Sequence, residues 1–593
     1  MKTPFLFFES LNAVLHLLKG YKQKLFPLLL LMLAASLAEV VSIGAVIPFL
    51  SVIFEPEAIL KSVIYQPILE KVGIQQPREI AALLVTTLIL AIVFAAVLRL
   101  WLYWSITKFS FLMGAYIGDH VFTKTLNWPY SRHIATNSSE MVSALSMKVS
   151  LVTYNILLPI LTIISSCILL AGIVGALIFL NISITIFVLS IVIFTYLLIS
   201  KVTKKLLNKH SQIISFESSK IIQHMQEGYG GIRDIILDRT QKTFIDSFKS
   251  SDLALRKSQG YVMFLANCPR FIIESFGVII IFLLAFFFTS EKNGVFDTLP
   301  FIAMVGLAFQ RMLPIAQQLY TSLVNIRGNY SSLVDILELI DEQSPEVIAS
   351  QTSKDPLFFE NTIDFRGVSF KYSENTRTIL NNLNLKISKG CCVGISGSSG
   401  CGKSTLIDLL IGLLTPSSGE IFVDGIQINP NNISSWQKSL AHVPQEIFVL
   451  DASIAQNIAF GVEPHSIDHE LVKSCAEYAH IADHIENLPD KYNTYVGERG
   501  VALSGGQRQR VGIARALYKR AKVVIFDEAT SALDLDTENK LLSSIINMNK
   551  DVTFFIVAHR YSAFQNCDFI INIDKGGNIN LASYDSTCSQ LKY

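Results

Sequence analysis

Six long apolar stretches constrain what this chain can fold into more than any other feature of its sequence. In 593 residues they lie at 25–54, 80–107, 152–178, 182–200, 271–289 and 298–325. Each is close to or above the ~20 residues that a helix needs to cross the hydrocarbon core of a bilayer. We therefore predict six transmembrane helices, of which the third and fourth are separated only by a polar break at Asn181 and Ser183.

The composition supports a membrane protein and excludes several other classes. Hydrophobic residues make up 51% of the chain and charged residues 16%, whereas soluble domains carry about 25% charged residues. The net charge of +1 lacks the basic excess that nucleic-acid-binding proteins show, so no nucleic acid partner is expected. The eight cysteines have neither metal-ligand spacing nor the pattern of a disulfide framework, so we interpret them as reduced thiols.

Lysines mark one side of the predicted membrane. They precede the first span and follow the fourth, at Lys2, Lys19, Lys22, Lys24, Lys201, Lys204, Lys205 and Lys209. Because basic residues are enriched in cytoplasmic segments, we predict that the N-terminus is cytoplasmic. The segments 108–150 and 201–265 are polar-striped and helix-like, which predicts that the spanning helices extend well into the cytoplasm.

The composition changes after about residue 340. We predict a transmembrane domain at 1–340 and a polar, proline-containing linker at 341–357. In 358–593, short β-branched stretches alternate with helical patterns, which is typical of an α/β domain. The predicted fold class is a multi-domain membrane protein, with a six-helix bundle, long cytoplasmic extensions and an α/β domain.

A phosphate-binding loop is predicted in the α/β domain, between a strand-like and a helix-like segment. It fits the pattern GxxxxGKS with Gly397, Ser398, Ser399, Gly400, Cys401, Gly402, Lys403 and Ser404, and Thr405 follows. Glycines allow backbone N–H groups to turn toward phosphates, while Lys403 would reach the β- and γ-phosphates and Ser404 would bind Mg²⁺. The predicted cofactors are ATP and Mg²⁺, and the domain is predicted to be a P-loop NTPase.

Two acidic residues follow a second apolar strand. The stretch 523–526 is β-branched and aromatic and is followed by Asp527 and Glu528. We predict that Asp527 helps to hold the ligand shell of the metal ion and that Glu528 polarises the attacking water. The alternative is a strand-end acidic cap without a catalytic role.

A turn of small residues at 503–509, LSGGQRQ, opens a helix between these two motifs. Its backbone N–H groups could accept an anion. Together with the phosphate loop and the acidic strand end, it resembles the ATP-binding-cassette family, whose signature is LSGGQ. The resemblance implies that Ser504, Gly505, Gly506 and Gln507 contact nucleotide.

The same resemblance assigns further positions. It implies that Tyr372 stacks on adenine, that Gln445 is a catalytic glutamine and metal ligand, and that His559 is a catalytic switch residue. It also implies that 531–534, SALD, forms the D-loop. In that family two cassettes pair head to tail, which implies that this one-cassette chain forms a homodimer.

Six spans followed by one cassette resemble the exporter branch of the family. The resemblance implies an ATP-hydrolysing transporter in which the helix extensions couple to the cassette, with coupling segments at 127–130 and 231–234. It also implies a multi-pass protein of the bacterial inner membrane with a cytoplasmic cassette. A cassette protein that acts as a gate or regulator is the alternative class.

Three arginines lie in or at the edge of the predicted spans: Arg99 in the second, Arg270 at the start of the fifth and Arg311 in the sixth. Because lipid exposure of charge is costly, such residues face protein or a water-filled cavity. We predict that they bind an anionic, amphipathic substrate. The alternative is a structural role, through snorkelling or salt bridges with Glu39 and Glu274.

The local sequence around these residues resembles bacterial flippases for polyprenyl-diphosphate-linked oligosaccharides. The matching segments are 38–39, 47–49, 268–271 and 310–314. Gln318 departs from the pattern, since a further arginine is expected there. Lipid A flippases share the spacing of the first span and remain an alternative, as do exporters of peptides or hydrophobic compounds.

Overall fold

The computed structural model describes residues 22–44, 77–180, 182–290, 295–341, 357, 359–372, 377–530, 535–548, 550–574 and 576–582. The chain divides into two compact units. One comprises Met1–Trp128 with Ala135–Glu342, and the other comprises Pro129–Ile134 with Gln343–Tyr593.

The described residues before residue 342 are almost entirely helical. The helices are α1 Lys22–Gly44, α2 Pro77–Leu126, α3 Tyr130–Ala135, α4 Ser138–Ser143, α5 Val149–Val152, α6 Leu158–Leu180, α7 Ile182–Gly230, α8 Ile232–Leu237, α9 Gln241–Ser290 and α10 Val295–Asp341. Two π-helical turns, Ala144–Lys148 and Thr153–Leu157, join α4, α5 and α6 into a nearly continuous rod.

Four of these helices are much longer than a membrane is thick. Helices α2, α7, α9 and α10 contain 50, 49, 50 and 47 residues. At 1.5 Å per residue each is about 70–75 Å long, against ~30 Å for the hydrocarbon core. The predicted extension of the spanning helices is therefore confirmed.

Within the described residues, three helical stretches have the length and hydropathy to cross a membrane: Gln23–Ser42, Val85–Leu126 and Ser138–Ile178. They correspond to the first three predicted spans. Helices α7, α9 and α10 contain the other three predicted spans, whose crossing stays a prediction. The end of the first predicted span, 45–54, and most of the linker lie outside the described residues.

Two of the apolar clusters that pack the described helices of the first unit together share helix α10. One joins α1, α2, α5, α6 and the π-helical turn between α5 and α6 to the C-terminal part of α10, with Met32, Met113 and Ile336 almost fully buried. The other joins α7 and α9 to α10 around Leu207 and Leu255. Helix α10 therefore links both halves of the bundle.

The second unit is α/β, as predicted. Its strands are β1 Thr362–Phe370, β2 Leu380–Ser388, β3 Cys392–Gly397, β4 Ser418–Val423, β5 Ile426–Gln427, β6 Leu440–Val443, β7 Val523–Asp527, β8 Thr553–Val557, β9 Phe569–Ile573 and β10 Ile579–Ala582. Its helices are α11 Lys403–Leu410, α12 Ile433–Lys438, α13 Ile454–Ile458, α14 His469–Tyr478, α15 Ala482–Glu486, α16 Gly505–Tyr518 and α17 Leu535–Met548.

The strands form two sheets. One is antiparallel, in the order β2-β1-β4-β5, and the other is six-stranded, in the order β10-β9-β3-β8-β7-β6. In the larger sheet β6, β7, β8, β3 and β9 are parallel. Because the carboxyl ends of parallel strands meet at one edge, ligands of such sheets bind there.

Candidate functional site

The candidate site forms where four neighbouring parallel strands end. The phosphate loop follows β3, Gln445 follows β6, Asp527 and Glu528 close β7, and His559 follows β8. Residues that are far apart in the sequence are therefore collected at one edge by strand order. The apolar residues of strands β3 and β7 are buried. Their packing fixes the position at which each following loop leaves the sheet.

The phosphate loop depends on glycines in conformations that other residues avoid. Gly397, Gly400 and Gly402 have φ angles of 155°, 75° and 110°. A Cβ at Gly397 would lie 2.6 Å from the carbonyl oxygen of Ile573, and one at Gly402 would lie 2.9 Å from Cγ2 of Ile379. Larger residues would therefore displace the loop.

Lys403 lies inside the curve of this loop. Its side chain is buried, and Nζ donates hydrogen bonds to the carbonyl oxygens of Gly397 at 2.8 Å and Ser398 at 3.4 Å. Phosphate oxygens can replace these two acceptors around the ammonium. Ser404 is exposed in the first turn of α11, where a hydroxyl can reach a metal ion. Cys401 is buried and packs in the core beside the loop, so this position can offer nucleotide its backbone only.

Tyr372 is anchored beside the loop and keeps its ring accessible. Its hydroxyl lies 3.2 Å from Oγ1 of Thr405, and its ring meets Phe370 edge to face, with centroids 5.1 Å apart. The side chain is 52% exposed. This arrangement fits a stacking surface for a flat base.

Glu528 is held from two sides by the other two predicted catalytic residues. Nε2 of Gln445 donates to Oε2 of Glu528 at 2.7 Å. Nε2 of His559 lies 2.8 Å from Oε1, and the glutamate side chain is only 13% exposed. The structure therefore brings Gln445, Glu528 and His559 together. Glu528 has a φ angle of 52°, and its backbone N–H donates to Val557 at 3.0 Å.

Asp408 is a site residue that sequence reasoning missed. Burial, and then the negative charge of Asp527, raise the pKa of Asp408 to about 6. Burial and Glu528 likewise raise the pKa of Asp527, while Lys403 lowers it. The sequence did contain one signal for Asp408: it lies one helical turn after Ser404 on α11, so both residues share one face of that helix.

The signature segment forms the N-terminus of α16. The Oγ of Ser504 accepts from the backbone N–H of Gln507 at 3.3 Å, and Oε1 of Gln507 accepts from the N–H of Ser504 at 2.7 Å. This reciprocal capping box fixes the turn. Gly505 is exposed. A second missed residue, His484, has Nδ1 3.3 Å from Nε2 of Gln507.

Glu538 is a third missed residue. Its side chain is buried on α17; Oε1 accepts from Thr530 at 2.5 Å, and Oε2 lies 3.7 Å from Nη1 of Arg560. Glu538 therefore connects Thr530, which precedes the predicted D-loop at 531–534, with Arg560, which follows His559. The D-loop itself lies outside the described residues.

In the membrane half, two predicted substrate arginines each lie near a glutamate. Arg99 is 3.9 Å from Glu39, and Arg270 is 3.8 Å from Glu274. The arginine side chains are nevertheless 54% and 60% exposed. Arg311 is in α10, and its side chain lies outside the described part of the structure.

Residues 380–531 match the model of the ABC transporter family. This part of the chain is therefore an ABC transporter ATP-binding domain. The matched stretch contains the phosphate loop, Gln445, the signature and Glu528. This domain binds ATP with Mg²⁺ and hydrolyses ATP.

Similarity to known proteins extends beyond the cassette. The chain is 28% identical to an ATP-dependent lipid A-core flippase of Pseudomonas fluorescens over 77% of this chain and 75% of that protein. It is 42% identical to ATP-binding cassette sub-family B member 5 of Mus musculus over 38% of this chain. That match covers only 18% of the mouse protein.

A solved structure of similar architecture covers nearly the whole chain. It is described as a bacterial Atm1-family ABC exporter with ATP bound, and it covers 97% of this chain and 96% of its own with a TM-score of 0.76. At 23% identity this likeness shows the fold. The predicted fold class, a helical transmembrane region with an α/β nucleotide-binding domain, is therefore confirmed.

Proposed function

We propose that this ABC transporter uses ATP to flip a phosphate-bearing, glycosylated lipid across the bacterial inner membrane. Within that class, the cargo we favour is a polyprenyl-diphosphate-linked oligosaccharide. The observation that carries the proposal is the presence of accessible arginines, Arg99 and Arg270, in the membrane-spanning half.

The exposure of these two side chains constrains their surroundings. A guanidinium facing lipid near the bilayer centre costs several kcal/mol, so it faces protein or water instead. In one subunit Arg99 and Arg270 are more than half exposed. We infer that they face a cavity or a second subunit, where guanidinium groups can bind phosphate oxygens in bidentate fashion.

The similarity to a lipid A-core flippase over three quarters of both chains supports a lipid cargo. Lipid A-core also combines phosphate with sugars, so it is the second candidate. Gln318 stands where the preferred family has an arginine, so it counts against a complete diphosphate site.

The working unit we propose is a homodimer. Ser504 and Gly505 present the N-terminus of α16 to solvent, where they would complete the nucleotide site of the other subunit. Two bound ATP molecules would close the cassettes, and the coupling segments 127–130 and 231–234 would transmit closure to the spanning helices. Glu528, held by Gln445 and His559, would orient and polarise the water that resets the cycle.

The test is transport by purified protein in liposomes. We expect ATP-dependent movement of a polyprenyl diphosphate carrying an oligosaccharide, compared with lipid A-core and with a neutral glycolipid. If only lipid A-core moves, the second candidate replaces the first. Movement of neither phosphorylated lipid in an ATPase-active preparation contradicts the proposed cargo class.

The arginines provide the matching variants. Arg99→Ala combined with Arg270→Ala should abolish flipping while basal ATPase stays within about a factor of three, since each lost charged contact is worth ~1.5–3 kcal/mol for cargo alone. Pairs that include Arg311→Ala should behave in the same way. A folded double variant that flips at the parent rate would show that these arginines are structural.

A further inference from the structure

A pocket lies beside Arg99 inside the first unit. Its volume is about 510 Å³, and it is lined by α1, α2, α6 and α10. This size is in the usual range for small-molecule sites. Apolar side chains such as Leu100 and Leu102 form part of the wall, and polar groups form the rest.

The charges in this pocket are paired. Arg99 and Glu39 both line it and lie 3.9 Å apart, and the Glu39 side chain is only 9% exposed. A phosphate would be attracted by Arg99 but repelled by Glu39. Hydroxyl groups would be favoured by both, because a carboxylate accepts hydrogen bonds and a guanidinium donates them.

Neutral polar groups complete the wall. Ser165, Ser166 and Gln318 line the same pocket, and Ser166 donates to Oε1 of Gln318 at 3.4 Å. The amide of Gln318 offers both donors and an acceptor. An arginine at this position would add a second positive charge, whereas the glutamine makes the pocket suited to uncharged hydroxyl and amide groups.

We propose that this pocket, which we name the headgroup pocket, binds the first sugar of the cargo next to its phosphate. Arg99 contacts a phosphate oxygen, while Glu39 and Gln318 bind sugar hydroxyl groups and so select glycosylated over bare lipid phosphates. This inference rests on the proposed function, and it adds Glu39 and Gln318 as specificity-determining residues.

Binding measurements in lipid nanodiscs test the proposal with two probes. One is a polyprenyl diphosphate that carries a disaccharide, and the other is the same lipid without sugar. We expect the parent to prefer the glycosylated probe by about tenfold, the value of one well-made charged hydrogen bond. Glu39→Ala should bring that ratio close to one, and Gln318→Ala should lower it less. Arg99→Ala should weaken the binding of both probes by a similar factor.

Two further variants separate selectivity from folding. Glu39→Gln keeps the side-chain volume and removes the repulsion, so it should strengthen binding of the sugar-free probe. Glu274→Ala is the matched control, because Glu274 also lies near an arginine, at 3.8 Å, but is not among the residues that line the pocket. It should leave the ratio unchanged.

The outcomes distinguish failure of the headgroup pocket from failure of the proposed function on which it rests. If both probes bind and neither Glu39 variant changes the ratio, the headgroup pocket is refuted while the proposed cargo stands. If the parent binds both probes equally, the pocket is refuted as well. If neither probe binds, the proposed cargo is wrong and the pocket assignment falls with it.

Discussion

At the scale of single residues, the candidate site contains one carboxylate that two other side chains contact. Glu528 accepts from Gln445 and lies next to His559. The contacts of Lys403 and Tyr372 involve other atoms of the site. The roles proposed for these residues in nucleotide binding and in nucleotide hydrolysis therefore fall on different side chains, which substitution can separate.

The first prediction is that Glu528→Gln binds ATP as the parent does but hydrolyses it about 10²–10⁴-fold more slowly, the usual contribution of a general base. The amide cannot take a proton from water, while the phosphate loop is unchanged. Steady-state ATPase and fluorescent-nucleotide binding are the measurements. Glu470→Gln, at an exposed glutamate of α14, is the control. Parent-like turnover in a folded Glu528→Gln protein would contradict the role.

The second prediction concerns Asp408. Its pKa is raised from 3.8 to about 6, so the folded chain holds this proton more tightly than the unfolded chain does. Its ionisation therefore destabilises the fold as pH rises through this window, and the effect is complete above about pH 6. Asp408→Asn removes this charge and its repulsion of Asp527.

We expect Asp408→Asn to unfold at a higher temperature than the parent near neutral pH without nucleotide, and the difference should shrink on acidification to about pH 5. Thermal unfolding at several pH values measures it. A difference that does not vary with pH would show that Asp408 does not titrate as described.

At the scale of elements, a buried charge connects three helical segments of the first unit. Lys148, in a π-helical turn, has a side chain that is only 7% exposed, and it pairs with Asp335 of α10. Ser215 of α7 donates to the same carboxylate oxygen. Because a buried ammonium without a partner is costly, Asp335 holds these elements in register.

The third prediction is that Asp335→Ala lowers the free energy of unfolding by about 3 kcal/mol, because it leaves Lys148 uncompensated. Adding Lys148→Met should recover most of that loss. Asp252→Ala, which breaks the exposed pair with Arg256, should cost less than about 1 kcal/mol. Denaturant or thermal unfolding compares the four proteins. Failure of Lys148→Met to rescue would show that the loss has another origin.

At the scale of the whole molecule, the proposed homodimer places the phosphate loop and the signature of one site on different subunits. A dimer that combines Lys403→Ala in one subunit with Ser504→Arg in the other keeps one intact site. A dimer that combines Lys403→Ala with Glu528→Gln keeps none, because both changes affect the same half of a site.

The fourth prediction is that mixing the inactive Lys403→Ala and Ser504→Arg proteins restores measurable ATPase, whereas mixing Lys403→Ala with Glu528→Gln does not. Subunits are exchanged or co-expressed with two affinity tags, and mixed dimers are purified through both. Equal activity of the two mixed dimers would contradict a site shared between subunits.

The sequence predicted correctly those features that depend on local pattern. Apolar runs indicated three described stretches that are long and apolar enough to cross a membrane. Polar-striped continuations indicated the length of the helices, because helix periodicity and hydropathy act over neighbouring residues. The phosphate loop was predictable because its glycines and Lys403 lie within eight consecutive positions. The apposition of Gln445, Glu528 and His559 was predictable only through resemblance to a family, since 114 residues separate the first from the last, from 445 to 559.

Tertiary structure alone decided which side chains from distant elements share a space. Nothing local in the sequence pairs Asp408 with Asp527, Lys148 with Asp335, or Glu39 with Gln318. Each proximity arises because strand order or helix packing brings two elements together at one particular register. The sequence by itself thus determined the type of most elements and the position of the predicted phosphate loop. The packing determined the electrostatics of the nucleotide site and the polar wall of the headgroup pocket, since burial and distance set the strength of every interaction between charges.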